Sequence, residues 1–152
     1  MIQIKNRYSG AVIKEVTSLS NSNLSYSNLS NSDLRGSNLS YSNLRGNNLR
    51  GSDLRDSNLS NSNLSYSNLS NSDLRGSNLR NIIGNGKEVK SLQIGTYMVS
   101  YHKDILNIGC QSHTLDRWIS FTDEEIDAMD KGTSLDWWKL NKDILVTLVK
   151  RE

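Results

Sequence analysis

Leucine recurs every fifth residue from Leu19 to Leu79, thirteen times without interruption. Two positions before each Leu stands a small polar residue, Thr17 first, Asn47 once, and Ser at the other eleven places. The residue just before each Leu is Asn or Asp, apart from Ser18, and the residue after it is Ser or Arg. A period of five excludes the common elements. An α-helix, with period 3.6, would smear these leucines around its circumference. A flat strand would send successive leucines to opposite faces. A coil that turns a corner every five residues keeps every Leu inside. Because strand side chains alternate, the residue two before each Leu also points inward and must be small. The inward serines then need hydrogen-bond partners, and backbone carbonyls are the expected ones.

The number of corners per turn is readable as well. Asp precedes Leu only at Asp33, Asp53 and Asp73, and Arg follows the same leucines at Arg35, Arg55 and Arg75. A spacing of twenty is four pentads, which stacks each set on one face. The segment Leu19–Leu39 is identical to Leu59–Leu79, an offset of forty, or two whole four-cornered turns. Fixed-period self-similarity of this kind is the mark of a solenoid. Thirteen pentads make about 3 turns.

The tract resembles the pentapeptide-repeat proteins, whose loose consensus is A(D/N)LXX, with the usual Ala replaced here mostly by Ser, as in Ser27-Asn28-Leu29-Ser30. The resemblance implies a right-handed quadrilateral β-helix. The expected fold is therefore mainly β: that coil over 17–82, an N-terminal β-hairpin cap over 1–16, and a small C-terminal α+β unit over 83–152.

The ends of an open coil expose unpaired strand edges that must be covered. Ile2 and Ile4 alternate with Gln3 and Lys5, and Ser9-Gly10 is a turn signal before Ala11-Val12-Ile13, so residues 2–7 and 11–16 read as a hairpin stacked on the first coil. After Leu79 the register breaks. Residues 89–94, 97–102 and 105–110 read as three strands, with Lys103-Asp104 as a hairpin turn, and 114–119 as one helical turn. Thr122 with Glu125 forms a capping box, with Phe121 and Ile126 as its hydrophobic staple and Gly132 as the helix stop. Residues 135–149 read as a longer helix with Trp137, Leu140, Ile144 and Leu148 on its apolar face, widened by Trp138, Leu145 and Val149. The N-terminal Ile2–Gly10 segment, Ile82–Glu88 and Leu135-Asp136-Trp137-Trp138 are similar to those of pentapeptide-repeat proteins carried by phages and prophages, a resemblance that brings no established activity.

Charge narrows the function classes. Residues 1–18 carry +2, residues 19–80 carry +2 (six Arg, four Asp), and residues 81–152 carry −2. No segment has the basic field of a dedicated nucleic-acid binder. Some pentapeptide-repeat proteins resemble a B-DNA rod and act on DNA gyrase; a net-positive, short coil departs from that pattern and disfavours a DNA mimic. Nucleic-acid contact through the Arg35, Arg55 and Arg75 column is a further alternative, set against cross-pairing of those arginines with the Asp column into a neutral ladder. Cys110 is the lone cysteine, which fits a cytoplasmic location in a bacterial host, and no stretch approaches a membrane span. Cys110 and His113 suggest a nucleophile or metal story, but four zinc ligands are lacking, and a buried Cys with a satisfied His is the expectation. No catalytic, cofactor or metal site is expected. The leading reading is a non-catalytic scaffold that binds a host or phage protein. Tyr26, Tyr41 and Tyr66 at corners, the three arginines, and Trp137 and Trp138 are the candidate contact residues, with homodimerisation through the C-terminal helix as one possible use of the tryptophans.

Overall fold

A computed structural model describes residues 1–130 and 132–150. Between residues 17 and 83 the chain winds into a coil whose adjacent turns bridge in parallel at a constant offset of twenty, from Asn23 with Asn43 through to Asn63 with Ile83. The offset of twenty makes the coil four-sided. Its core is the leucine column, buried throughout and joined by Ile4 above and by Ile82 and Val89 below.

Three devices hold each side in place. The first is the corner. The second residue after each Leu has a left-handed backbone, with φ between +53° and +70° at every corner from Asn21 to Asn81. The next N–H returns to the Leu carbonyl, as from Ser42 to Leu39 at 3.2 Å, giving the turn type that demands positive φ at its third residue. The second device explains the Asn or Asp before each Leu. Its side-chain oxygen accepts the N–H two residues on, Asn43 from Arg45 at 3.1 Å and Asp53 from Arg55 at 3.3 Å, closing an Asx turn over the corner. The third is the inward serine, whose Oγ donates to the carbonyl of the Leu three residues back, as in Ser42 to Leu39 (2.5 Å), Ser57 to Leu54 (2.7 Å) and Ser67 to Leu64 (2.6 Å). Ser52 instead donates to the Leu29 carbonyl at 2.8 Å and Ser32 to Ser52 Oγ at 3.2 Å, while the larger Asn47 leaves its Nδ2 buried without a partner among the described residues.

The top of the coil is covered by β1 (Ile2–Asn6) and β2 (Val12–Val16), an antiparallel pair with an irregularity between Ile4 and Lys5. β1 also pairs antiparallel with β3 (Ser32–Asp33) of the coil, Lys5 opposite Asp33. This pairing uses an edge that would otherwise stay open.

At the other end a four-stranded antiparallel meander follows in sequence order: β4 (Lys90–Ile94), β5 (Tyr97–His102), β6 (Ile105–Ile108) and β7 (Gln111–Thr114). Three strands are expected from the sequence; β7 is a fourth. Its Gln-Ser-His-Thr sequence has no apolar alternation, and pairing with β6 alone makes it a strand. Ser100 Oγ donates to the Leu79 carbonyl at 2.7 Å and Val89 seals the leucine column, so this sheet closes the lower end of the coil. Three helices pack on the sheet around a second core: α1 (Leu115–Ser120), α2 (Asp123–Asp127) and α3 (Ser134–Lys150). Thr122 and Glu125 make the expected capping box. α2 nevertheless stops at Asp127 with a right-handed Ala128 as its C-cap, so Gly132, four residues beyond Ala128, does not end it. No described helix is long and apolar enough to cross a membrane.

The buried face of α3 differs from the sequence expectation. Trp138, Asn141, Leu145 and Val149 point into the core, whereas Leu140 (79 % exposed) and Ile144 (57 %) face solvent. The polar Asn141 conceals the true stripe: its Nδ2 donates to the Trp137 carbonyl of its own helix at 2.8 Å, so it sits on the buried face without an orphaned donor.

Candidate functional site

The coil presents two features on its outer faces, one electrostatic and one aromatic. The electrostatic feature is the Asp/Arg stack. Each Arg binds the Asp of its own row through two nitrogens: Arg35 to Asp33 at 3.0 and 2.9 Å, Arg55 to Asp53 at 2.9 and 2.6 Å, and Arg75 to Asp73 at 2.9 and 2.6 Å. Each upper Arg also approaches the Asp one coil below, Arg35 to Asp53 and Arg55 to Asp73, both at 3.7 Å. Arg7, arriving from the hairpin, lies 3.7 Å from Asp53 as well. Like charges a coil apart repel, and this zigzag places an opposite charge between them. The hydrogen bond from its own Arg is the main influence on each carboxyl, holding Asp33 and Asp53 below the ordinary carboxylate range and Asp73 well below it. The same bonds raise the guanidinium of each arginine. Arg35, Arg55 and Arg75 are therefore each committed to a carboxylate, which leaves a weaker field for an external phosphate.

The aromatic feature lies at the corners. Tyr26, Tyr41 and Tyr66 are 73 %, 62 % and 77 % exposed, and all three hold φ near +60°. Tyr26 and Tyr66 belong to one column, with Gly46 between them. The Tyr26 ring lies across Gly46, so closely that a Cβ there would meet the ring at 2.6 Å. Arg45 links the pair: its Nε donates to the Tyr26 hydroxyl at 3.3 Å, and its Cζ sits 4.7 Å from the centre of the Tyr66 ring. Tyr41 occupies a corner on the neighbouring face. Arg45 carries no signal in the sequence beyond its place next to Gly46; only the coil register brings it between the two rings.

In the C-terminal unit, Trp138 is buried against Trp118, with ring centres 5.3 Å apart, while half-buried Trp137 donates its indole N–H to the Ile94 carbonyl at 2.9 Å. Neither stands free as a contact anchor; the exposed apolar residues of α3 are Leu140 and Ile144. Cys110 is exposed at the β6–β7 turn rather than buried, because the turn lifts it off the sheet. His113 packs edge-on against Trp118 and Phe121, with ring centres 5.3 and 5.0 Å away, and burial is the main reason its pKa is lowered. Among the described residues, no group of three His, Cys, Asp or Glu side chains is placed to hold a metal.

Comparison with known proteins agrees with the coil. Residues 17–51 and 42–81 match the family described as pentapeptide repeats, in eight copies. Solved structures with similarity include a pentapeptide repeat protein (Rfr23) from the cyanobacterium Cyanothece, 36 % identical over 41 % of this chain and 43 % of that one, with a TM-score of 0.40. A pentapeptide repeat protein of the Arabidopsis thaliana thylakoid lumen is 27 % identical over 43 % of this chain and 52 % of that one, TM-score 0.22. HetL from Nostoc, a pentapeptide repeat protein involved in heterocyst differentiation regulation, is 24 % identical over 41 % of this chain and 38 % of that one, TM-score 0.25. This chain thus spans about half or less of each of those proteins. No curated protein sequence matches it. Pentapeptide repeats form right-handed quadrilateral β-helices, and proteins built on them are generally non-catalytic repeat scaffolds.

Proposed function

Since residues 17–81 are a pentapeptide-repeat array, we propose that this protein is a non-catalytic interaction scaffold whose coil of about three turns presents Tyr26, Arg45, Tyr66 and Tyr41 to a protein partner. The division of labour follows: a hairpin cap over 1–16, the display coil over 17–82, and a closing unit over 83–152. One observation carries the reading. All three tyrosines sit at left-handed corners, where a side chain with a Cβ is disfavoured by about 1–2 kcal/mol and where Gly, Asn or Asp fills the other corners of the coil. Strain of this kind points to function, and these rings, although contacts such as that of Tyr26 with Gly46 recover part of the cost, stay mostly exposed. Tyr and Arg together are also the composition of interface hot spots. The segments similar to phage-borne relatives make a host or phage protein, met in the bacterial cytoplasm, the partner class. The net charge of +2 over residues 19–80 and the carboxylate-bound arginines speak against both DNA mimicry and nucleic-acid contact.

The test is crosslinking and affinity capture from cells that naturally carry the protein, comparing the native chain with a Tyr26→Asn/Tyr41→Asn/Tyr66→Asn variant. Asn suits left-handed corners, so the variant keeps the coil. A partner captured by the native chain and lost from the variant supports the reading; an identical set captured by both overturns it.

A second reading rests on Leu140 and Ile144, an exposed apolar pair four residues apart on α3 that a second copy of the chain would cover. Light scattering gives the solution mass. A native dimer that Leu140→Glu/Ile144→Glu converts to monomer supports this reading, and a native monomer removes it.

A further inference from the structure

The three tryptophans of the chain, Trp118 and the adjacent pair Trp137 and Trp138, all line a single cavity of about 270 Å³ between the sheet and the helices. Tyr97 completes an aromatic wall on the sheet side, Met129 adds a polarisable thioether, and Asp130 is the one charged side chain in the lining among the described residues. The wall is held rigidly. Tyr97 meets Trp137 edge-on at 5.0 Å and 71°, and Trp118 lies against Trp138. Two of the three indole N–H groups are spent elsewhere, Trp118 Nε1 donating to the Leu106 carbonyl at 2.8 Å and Trp137 Nε1 to the Ile94 carbonyl, while Lys142 Nζ lies 5.7 Å from the centre of the Trp138 ring. The Tyr97 hydroxyl donates to Asp130 Oδ2 at 2.5 Å and fixes that carboxylate at the rim. Burial, followed by this carboxylate, pushes the Tyr97 phenol up, so it remains a donor at neutral pH.

We propose that this cavity is a binding site for a small quaternary ammonium group, of the trimethylammonium type, held by the aromatic wall and the Asp130 carboxylate. An aromatic enclosure with a carboxylate at its rim suits a cation that has no N–H of its own to satisfy, and ring faces attract such cations most strongly when desolvated. The surrounding charge selects a cation over an anion or a neutral ligand. Residues 114–143 carry eight acids against four bases, Arg117, Lys131, Lys139 and Lys142, and Lys139 is bound to Asp123 at 2.6 Å. Arg117 is already bound to Glu125 at 3.1 Å. The site lies wholly in the C-terminal unit, so it stands or falls independently of the tyrosine face of the coil.

The experiment titrates the full chain with choline and, in parallel, with its uncharged isostere 3,3-dimethylbutan-1-ol, at constant ionic strength. Because every tryptophan lines the cavity, intrinsic fluorescence reads it directly, and protection of exposed Cys110, also in the lining, from alkylation is a second readout. Choline should bind saturably in the millimolar range, at least about tenfold tighter than the isostere. Asp130→Asn should weaken choline by about fivefold or more and leave the isostere unchanged. A native-like melting curve shows that this variant is folded. Equal binding of choline and isostere, no saturable choline signal up to about 100 mM, or an Asp130→Asn variant that binds choline as the native chain does would each overturn the proposal.

Discussion

Replacing Tyr26, Tyr41 and Tyr66 by Asn in one series and by Ala in another separates two roles that exposed corner tyrosines could have. A tyrosine here buries about a quarter to two-fifths of its surface. With a full aromatic area on the order of 200 Å², that is about 50–75 Å², worth about 1.3–1.9 kcal/mol at about 25 cal/mol per Å². Both substitutions forfeit this. Only Asn recovers most of the roughly 1–2 kcal/mol that a left-handed backbone costs a residue with an ordinary side chain, since its short amide can hydrogen-bond locally. The Asn variants should therefore lie within about 1 kcal/mol per site of the native chain, and the Ala variants should fall about 1 kcal/mol per site below the Asn variants. For a chain of this length 1 kcal/mol shifts Tm by about 2–4 °C, so the triple Asn and triple Ala proteins should melt roughly 6–12 °C apart. Thermal unfolding followed by circular dichroism measures the gap. Coincident melting of the two triple variants would show that corner conformation does not govern these sites. A triple Asn variant destabilised by more than about 4 kcal/mol would show that the rings are packing elements, and the case for a displayed binding face would fail with it.

Other outcomes follow from the same geometry. Asp53 is 3 % exposed and faces Arg55, Arg35 and Arg7, so Asp53→Asn should cost about 2–3 kcal/mol in urea unfolding, whereas Asp33→Asn, with a more exposed carboxylate, should cost about 1 kcal/mol or less. The folded-state carboxyl pKa values of Asp33, Asp53 and Asp73 are lowered, so their contribution is fully present above about pH 4, the unfolded value, and is lost as pH falls through the lowered folded values; unfolding midpoints measured from pH 6 downward should drop below about pH 4, and Asp53→Asn should blunt that drop. Leu54 is fully buried at mid-coil, and Leu54→Ala should cost about 3–4 kcal/mol. Leu140→Glu, at an exposed position, should leave the stability of the monomer within about 0.5 kcal/mol by the same assay.

Much of the coil is legible in the sequence because one residue type does one job at each of its positions. A Leu column with an inward Ser admits one register, and the Asp33/Asp53/Asp73 echo sets its circumference. The Asn and Asp before each Leu also carry a second message, an Asx turn, which a reading of polar positions as simply solvent-facing passes over. The C-terminal unit is less legible because its elements depend on each other. β7 is polar throughout and owes its existence to β6. On α3, Asn141 turns inward by hydrogen-bonding its own helix, and that rotates the apolar face away from the one leucines 140 and 148 suggest. The aromatic cavity leaves no local trace at all: Tyr97, Trp118 and Trp137 are brought together only by the fold, and in sequence Trp137 and Trp138 read as part of the apolar helix face and as candidate contact residues.

The constant offset of twenty between bridged residues makes this coil a ruler with a fixed angular graduation. Adding whole turns, as the forty-residue offset between the identical Leu19–Leu39 and Leu59–Leu79 segments suggests for two turns together, lengthens the rod by one strand spacing of about 4.8 Å per turn and leaves every column aligned. Inserting a single pentad instead rotates everything downstream by a quarter of a revolution. The hairpin and the C-terminal unit would then keep their own structures but point in new directions relative to each other. Length and heading can thus be set separately in such a chain, length by multiples of twenty residues and heading by multiples of five, without altering a single packed leucine.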